Sequence, residues 1–344
     1  MVNGERRMAK AVSLFSGGLD SILATKIVLE QGIDVFVLNF STPFFRWNNC
    51  KRGKFILKEI EEQKEIKFKS IYLGEEYLEI LKKPKYGYGK NLNPCIDCKI
   101  LMFKHAKKFM EEINANFIIT GEVLGQRPKS QHLYGLKIIE KETGLEGLIL
   151  RPLSAKILPP SIPEKMGWVD REKLFSIYGR SRKFQMELAK TFGIKNYPSP
   201  AGGCLLTDPE FSKRLKDILK QKEFNLAEIE LLKLGRHFRI TPSFKLVIGR
   251  NEIENKKLLS LTKQGDIYFE PKEMKGPIGI GRGNLEQDSI CRNWVKEISA
   301  KILARYVSTA NKEVKIGIKV IPEENEDLII VKSINEEKLN SLRI

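Results

Sequence analysis

The sequence predicts an α/β protein, with a parallel-sheet N-terminal domain followed by a smaller α+β module. Three observations carry this. A short apolar run, Ala11 to Phe15, enters a glycine turn and then a helical stretch, Ile22 to Leu29. A second apolar strand, Phe117 to Ile119, opens into another glycine-containing loop, the place where α/β sheets bind ligands. After about residue 225 the pattern shifts, and Val314 to Ile321 alternates with a period of two. The predicted domains are 1–225 and 226–344. A chain of 344 residues has room for both.

The first element carries the chemistry. Strand, glycine turn and helix make a phosphate site. Glycines let backbone approach oxygens closely, and the helix start presents free N–H groups to an anion. Ser16, Gly17, Gly18, Leu19, Asp20 and Ser21 form the turn, and the two serine hydroxyls add donors. The turn is not a Walker A loop, since G-x-x-x-x-G-K-[ST] is absent. A tight turn without ligand uses the same residue types. Asn39 follows the apolar strand Val35–Leu38 and falls where a nucleotide is expected. Thr120, Gly121, Gln126 and Arg127 lie in the loop after the second strand.

Five cysteines, an odd count, argue against a disulfide framework. Cys95 and Cys98 form a C-x-x-C behind Pro94, ahead of a predicted helix over Lys99–Met110. Taken alone, the pair fits redox chemistry, zinc or no function. Cys204 follows Gly202 and Gly203, which suggests backbone packed close to something. Three thiolates fall short of the four ligands of structural zinc. His105, His132 and His237, the three histidines, make no clear pair with a cysteine. Three cysteines on a [4Fe–4S] cluster would leave one iron open. Cys50 is expected in a loop over the nucleotide site and Cys291 in a buried helix position.

The formal net charge is +17. Such a surface favours a polyanion, nucleic acid above all, although a Lys/Glu-rich solvated surface is the plainer alternative. No apolar run approaches a membrane span and the N-terminus lacks a signal-peptide core, so a cytoplasmic protein is expected. In the C-terminal third, Leu234–Ile240 leads into Phe244–Asn251, a strand ending in a Gly-Arg-Asn turn. Pro271–Gly283 reads as a flexible basic loop. Residues 288–306 read as a helix, with Ile290, Trp294, Ile298, Ile302 and Leu303 at helical spacing. Leu328–Val331 reads as a further strand.

SGGLDS resembles the PP-loop of ATP pyrophosphatases. TGE-x-LGQ-x-x-SQ, from Thr120 to Gln131, and Leu150-Arg151-Pro152-Leu153 resemble tRNA 4-thiouridine synthetases. The Asn93–Cys98 and Gly203-Cys204 segments resemble the cysteine sites of tRNA 2-thiouridylases, where aspartate often replaces the first cysteine. Residues 10–208 are thus similar to the catalytic domain of PP-loop tRNA thiolases. The resemblance implies a parallel sheet with helices on both faces. It implies an ATP site in which Asp20 helps hold Mg²⁺, and catalytic roles for Asp20, Cys95, Cys98 and Cys204. The three cysteines are then ligands of a [4Fe–4S] cluster, with a persulfide route, zinc or no metal as alternatives. The R-H-F-R…V-I-G-R-N pattern resembles the RNA-binding region of NFACT-type proteins. Arg151, Arg236, Arg239, Arg250, Asn251 and Arg282 become candidate RNA contacts, with a surface salt bridge as the plainer alternative for each arginine. The implied partners are tRNA and a sulfur donor, free sulfide or a carrier protein, and relatives admit a homodimer. An amide-forming ligase, a zinc-bound RNA-binding protein and a small-molecule thiolase are the competing readings.

Overall fold

The computed structural model describes residues 9–45, 67–195, 197, 204–221, 224–284, 292–307 and 313–344. The chain divides into two compact units, Met1–Asp208 and Pro209–Ile344.

In the first unit, β1 (Lys10–Leu14), α1 (Leu19–Leu29), β2 (Asp34–Ser41) and β3 (Lys67–Tyr72) are followed by α2 (Glu75–Lys82) and α3 (Cys95–Glu112). Then come β4 (Phe117–Thr120), α4 (Leu133–Thr143), β5 (Ile149–Leu150) and α5 (Lys183–Thr191). The strands make one sheet, β3-β2-β1-β4-β5, and every pairing is parallel. Successive side chains alternate between faces, as strand geometry requires. Ala11, Val35, Val37, Phe117 and Ile119 pack with α1 and with Ala189 of α5. Val12, Leu38 and Ile118 pack on the other face with Ile100, Phe103 and Ala106 of α3 and Ile139 of α4. Both faces are therefore covered, which is the usual condition of a parallel sheet. The predicted helix over 99–110 begins four residues earlier than the periodicity indicates, so Cys95 and Cys98 lie in its first turn.

The second unit holds α6 (Pro209–Leu219), α7 (Leu226–Leu232), β6 (Arg236–Thr241), β7 (Phe244–Ile248), α8 (Glu252–Ser260) and β8 (Ile267–Pro271). It continues through β9 (Gly279–Gly283), α9 (Arg292–Ala304), β10 (Val314–Val320), β11 (Glu326–Val331) and α10 (Glu336–Leu342). Six strands form a wholly antiparallel sheet, β11-β10-β8-β9-β7-β6. Its main core joins Phe238, Phe244, Phe269 and Ile316 to Val295, Ile302 and Leu303 of α9. Trp294 and Ile298 pack partly buried against it. Residues 209–225, which the sequence pattern groups with the first domain, belong to this unit. Asp217 of α6 pairs with Arg239 of β6, and Arg214 donates to the Leu232 carbonyl at the end of α7.

Gly279–Gly283 is a buried strand between β7 and β8 and not the flexible basic loop expected. The glycines serve packing. A Cβ on Gly281 would meet Phe244 Cζ at 2.3 Å, so only glycine admits that ring. Among the described residues, no helix is long and apolar enough to cross a membrane.

Candidate functional site

The Ser16–Ser21 turn joins the C-terminal end of β1 to the start of α1. Gly17 sits at φ +73°, a conformation that a side chain would resist. Gly18 caps α1, and its carbonyl accepts the Ser21 hydroxyl at 2.8 Å and the Ile22 N–H at 3.1 Å. Ser21 is thus committed to the cap, while Ser16 remains exposed at the turn. The Leu19 side chain is buried in the core, which leaves only its backbone N–H at the helix start to meet a ligand. Asn39 is also buried. Its amide donates to the Phe15 carbonyl at 2.7 Å, and its oxygen accepts from Ser70 at 3.3 Å. It fixes the strand end that launches the loop.

Gly121 sets the neighbouring loop directly on the helix start. A Cβ there would lie 2.5–2.6 Å from the backbone of Asp20 and Ser21. From this loop Gln126 Nε2 donates to Asp20 Oδ2 at 3.1 Å. Arg182 Nη2 stands 4.0 Å from the same oxygen. Burial pushes the Asp20 carboxyl up, with Arg182, Gln126, Arg127 and Gln185 opposing the shift. Asp20 Oδ1 is buried without a hydrogen-bond partner. A carboxylate with one oxygen held and one unspent, at a helix N-terminus, suits a phosphate-bound divalent cation.

The thiols form the second half of the site. Cys95 and Cys98 occupy the first turn of α3, where the helix dipole favours thiolate. Cys204 bridges to Phe45, and the Leu205 N–H donates to the Phe44 carbonyl at 2.9 Å. That pairing brings Cys204 to the other two. Burial raises all three thiols, Cys98 to about 11 and Cys204 to about 12. Each is within electrostatic range of the others, and Arg127 opposes the rise in all three. The Tyr77 hydroxyl is fully buried beside them and interacts most with Cys98 after the burial itself.

Three soft sulfur donors on two facing segments fit an iron–sulfur cluster better than zinc. Among the described residues, the nearby candidates for a fourth ligand are engaged elsewhere. Asp97 accepts from the Lys85 and Tyr86 N–H groups at 2.8 and 3.1 Å, and His105 pairs with Glu76 at 2.6 Å. Among the described residues, no three His, Cys, Asp or Glu side chains are drawn into a closed metal group as they stand.

Glu122 was outside the predicted site, yet it fastens the halves together. Burial alone would raise it, but Lys99 at 3.0 Å and Arg151 at 3.1 Å hold its carboxyl below the usual range. Lys99 follows Cys98 directly, so this pair anchors the cysteine turn to the Thr120–Arg127 loop. Arg151 is accordingly not an RNA contact. It is buried and engaged by Glu122 and by Glu140 at 2.5 Å. Arg182, Gln185 and Tyr77 were likewise missed. Only the basic run before α5 hinted at Arg182, and nothing in the spacing linked any of them to residue 20.

Of the C-terminal candidates, Arg282 is also internal. It is 8 % exposed and pairs with Asp266 at 2.6 Å and Glu228 at 3.0 Å. Arg239 pairs with Asp217, leaving part of its side chain open. Arg236 stacks on Tyr306, 4.5 Å from the ring centroid, and Arg250 grips Glu254 while still 45 % exposed. Asn251 caps α8 through the Glu254 N–H at 3.0 Å. Cys50 and Cys291 lie outside the described residues.

Residues 7–156 match the family model described as Thiamine biosynthesis protein (ThiI). Residues 235–343 match that of the NFACT protein RNA binding domain. The first match falls within the N-terminal unit and the second within the C-terminal unit. Among curated proteins, the ThiI-type part is 31% identical over 155 residues to the probable tRNA sulfurtransferase of Thermococcus kodakarensis, spanning 42% of this chain and 36% of that protein. The tRNA sulfurtransferase of Desulfurococcus amylolyticus is 27% identical over 246 residues, 68% of this chain and 43% of its own length. The chain thus spans less than half of each of these relatives.

Two solved structures resemble the chain in part. One is a 4-thiouridine synthetase–RNA complex with bound ATP, at 23% identity and TM-score 0.40, covering 64% of this chain and 52% of that one. The other is the U34-tRNA thiolase NcsA of Methanococcus maripaludis with its [4Fe-4S] cluster, at 15% identity and TM-score 0.31, covering 64% and 70%.

Proposed function

We propose that the chain is an ATP-dependent tRNA thiolase that exchanges a uridine carbonyl oxygen for sulfur. One observation carries the reading. The Thr120–Arg127 loop touches both halves: Gly121 packs on the Asp20–Ser21 backbone and Gln126 donates to Asp20, while Glu122 pairs with Lys99, the neighbour of Cys98. One loop therefore joins the glycine turn to the sulfur donors, which is where an activated carbonyl must meet sulfur. The ThiI match and the tRNA sulfurtransferase names of the relatives support it.

The chemistry follows from the leaving group. A uridine carbonyl oxygen attacks the α-phosphorus of ATP. A new O–P bond forms, the bond to the bridging oxygen breaks, and its electron pair departs with pyrophosphate while N3 gives up its proton. Hydrosulfide then adds at the activated carbon and AMP leaves with the oxygen. Ser16, Gly17 and Gly18 bind the phosphate tail through backbone and hydroxyl donors. Asp20 would hold Mg²⁺ through its unpaired Oδ1, and the metal would supply positive charge to the phosphates; Gln126 fixes the other oxygen. Thr120 and Gly121 carry the loop that supports it, and Arg127 offsets the charge that develops between the two halves.

Cys95, Cys98 and Cys204 would hold a [4Fe–4S] cluster. When bound, it supplies an open iron that can take up sulfur. The number of sulfur donors favours this over a persulfide route: three thiols match a cluster with one open iron, whereas a persulfide route needs only two. The C-terminal unit, with Arg236, Arg239 and Arg250 partly open on its surface, would hold the RNA; the +17 charge supports a polyanion.

The test is pyrophosphate release from ATP with and without unmodified tRNA, for the wild-type chain and Asp20→Ala. Release that tRNA stimulates, and that the variant loses, is expected. Release that tRNA does not affect would overturn the RNA part, and none at all would overturn the reading.

A further inference from the structure

Tyr77 takes no part in the reading above, and its hydroxyl has no evident use in the fold. The residue lies on α2, whose buried side is formed by Tyr77, Leu78 and Leu81. It is completely buried, and its hydroxyl has no hydrogen-bond partner. A phenylalanine would fill the same space without a stranded oxygen. Buried polar groups in folded proteins are almost always paired, so an unspent phenol marks a place where an acceptor is expected.

The surroundings supply that acceptor. The Tyr77 ring packs on Phe44, with centroids 5.4 Å apart. The Phe44 carbonyl accepts the Leu205 N–H, and Phe45 bridges Cys204. Helix α2 also packs against α3, whose first turn carries Cys95 and Cys98. The phenol therefore touches both segments that bring the thiols together. Burial, and then Cys98, Cys204 and Cys95, push the hydroxyl well above the usual phenol range, so it keeps its proton. In return it favours thiolate at Cys98, against the burial that raises that thiol. Arg127, Lys99 and Lys129 act on the thiols as charges, whereas Tyr77 offers a neutral O–H.

We propose that Tyr77 is a positioning residue for the sulfur centre, donating its O–H to the Cys98 sulfur once that sulfur is a negatively charged ligand. Such a bond draws charge from the thiolate and is one of the levers that set a cluster's reduction potential. Partners of this kind orient a ligand without binding the metal, and they are worth about tenfold to a hundredfold in metal affinity. The inference rests on the cluster reading above and adds to it a residue that is not a ligand.

Tyr77→Phe tests it, because the variant keeps the ring and its packing on Phe44. Wild type and variant are reconstituted anaerobically with iron and sulfide, and each is compared with its cluster-free form. The loaded variant should surrender its iron at a chelator concentration about tenfold to a hundredfold lower. Its reduction potential should move in the negative direction. The cluster-free variant should unfold in urea at a midpoint equal to or above that of wild type, since the change removes an unpaired buried oxygen. Wild-type chelator resistance or wild-type potential in the variant, or a lowered midpoint without the cluster, would overturn this inference alone. A wild-type chain that takes up no iron and sulfide would overturn the cluster reading beneath it.

Discussion

Replacing Arg282 with methionine separates a structural arginine from an RNA-binding one. The guanidinium bonds Asp266 through Nε at 2.9 Å and Nη2 at 2.6 Å, Glu228 through Nη1 at 3.0 Å, and the Leu261 carbonyl at 2.7 Å. The side chains of Asp266 and Glu228 are 2% and 9% exposed. Methionine fills much of the volume but strands two buried carboxylates, and Lys263, 3.4 Å from Glu228, compensates only one. Breaking one partner of a buried ion pair costs about 3–5 kcal/mol. The assay is urea unfolding followed by the fluorescence of Trp294, which packs on this unit's core, in a background with Trp47 and Trp168 replaced by phenylalanine. A drop of about 3 kcal/mol or more is expected. A change within about 0.5 kcal/mol, the usual surface value, together with a salt slope of RNA binding lowered by about 1, would refute the structural role.

Other outcomes follow from the same geometry. Gly121→Ala forces a Cβ against the Asp20–Ser21 backbone; a displacement of about 1 Å costs about 100-fold in rate, and steady-state pyrophosphate release should show it. Cys98→Ala should abolish bound iron and acid-labile sulfide in anaerobically purified protein while leaving ATP binding intact; equal iron in both would remove the cluster from the account. His237 is buried, which depresses its pKa well below the usual value, with Lys245 and Arg214 adding to the effect. Below about pH 6.5 the unfolded chain therefore takes up a proton that the folded chain does not, and stability falls as pH drops. The loss from pH 7 to 5.5 is about 1 kcal/mol, and His237→Gln should remove it from a urea-unfolding pH series. Lys245, pushed down to about 7 by burial, acts at the other end. Between about pH 7 and 10.5 the unfolded chain binds more protons, so stability rises with pH there, and Lys245→Met should flatten that limb.

The strand–glycine turn–helix at Ser16–Ser21 was legible because its parts are contiguous, and local sequence fixes local geometry. The parallel sheet was legible for the same reason: largely buried strands such as Val35–Leu38 and Phe117–Ile119 read as apolar runs. Arg151 and Arg282 were misread because burial is a tertiary property. Nothing near Arg282 in sequence announces Glu228 or Asp266 as partners. The glycines of Gly279–Gly283 looked like loop residues, but Gly281 admits the Phe244 ring from the adjacent strand. Arg182 and Gln185 escaped because only the packing of α5 brings residue 182 to residue 20.

The most direct test of the central claim is mass spectrometry of nucleosides from unmodified tRNA incubated with the protein, MgATP and sulfide under anaerobic conditions. The account predicts a thiolated uridine that requires ATP and disappears in both Asp20→Ala and Cys98→Ala. Pyrophosphate release without any thionucleoside, or a thionucleoside that survives Cys98→Ala, would contradict it.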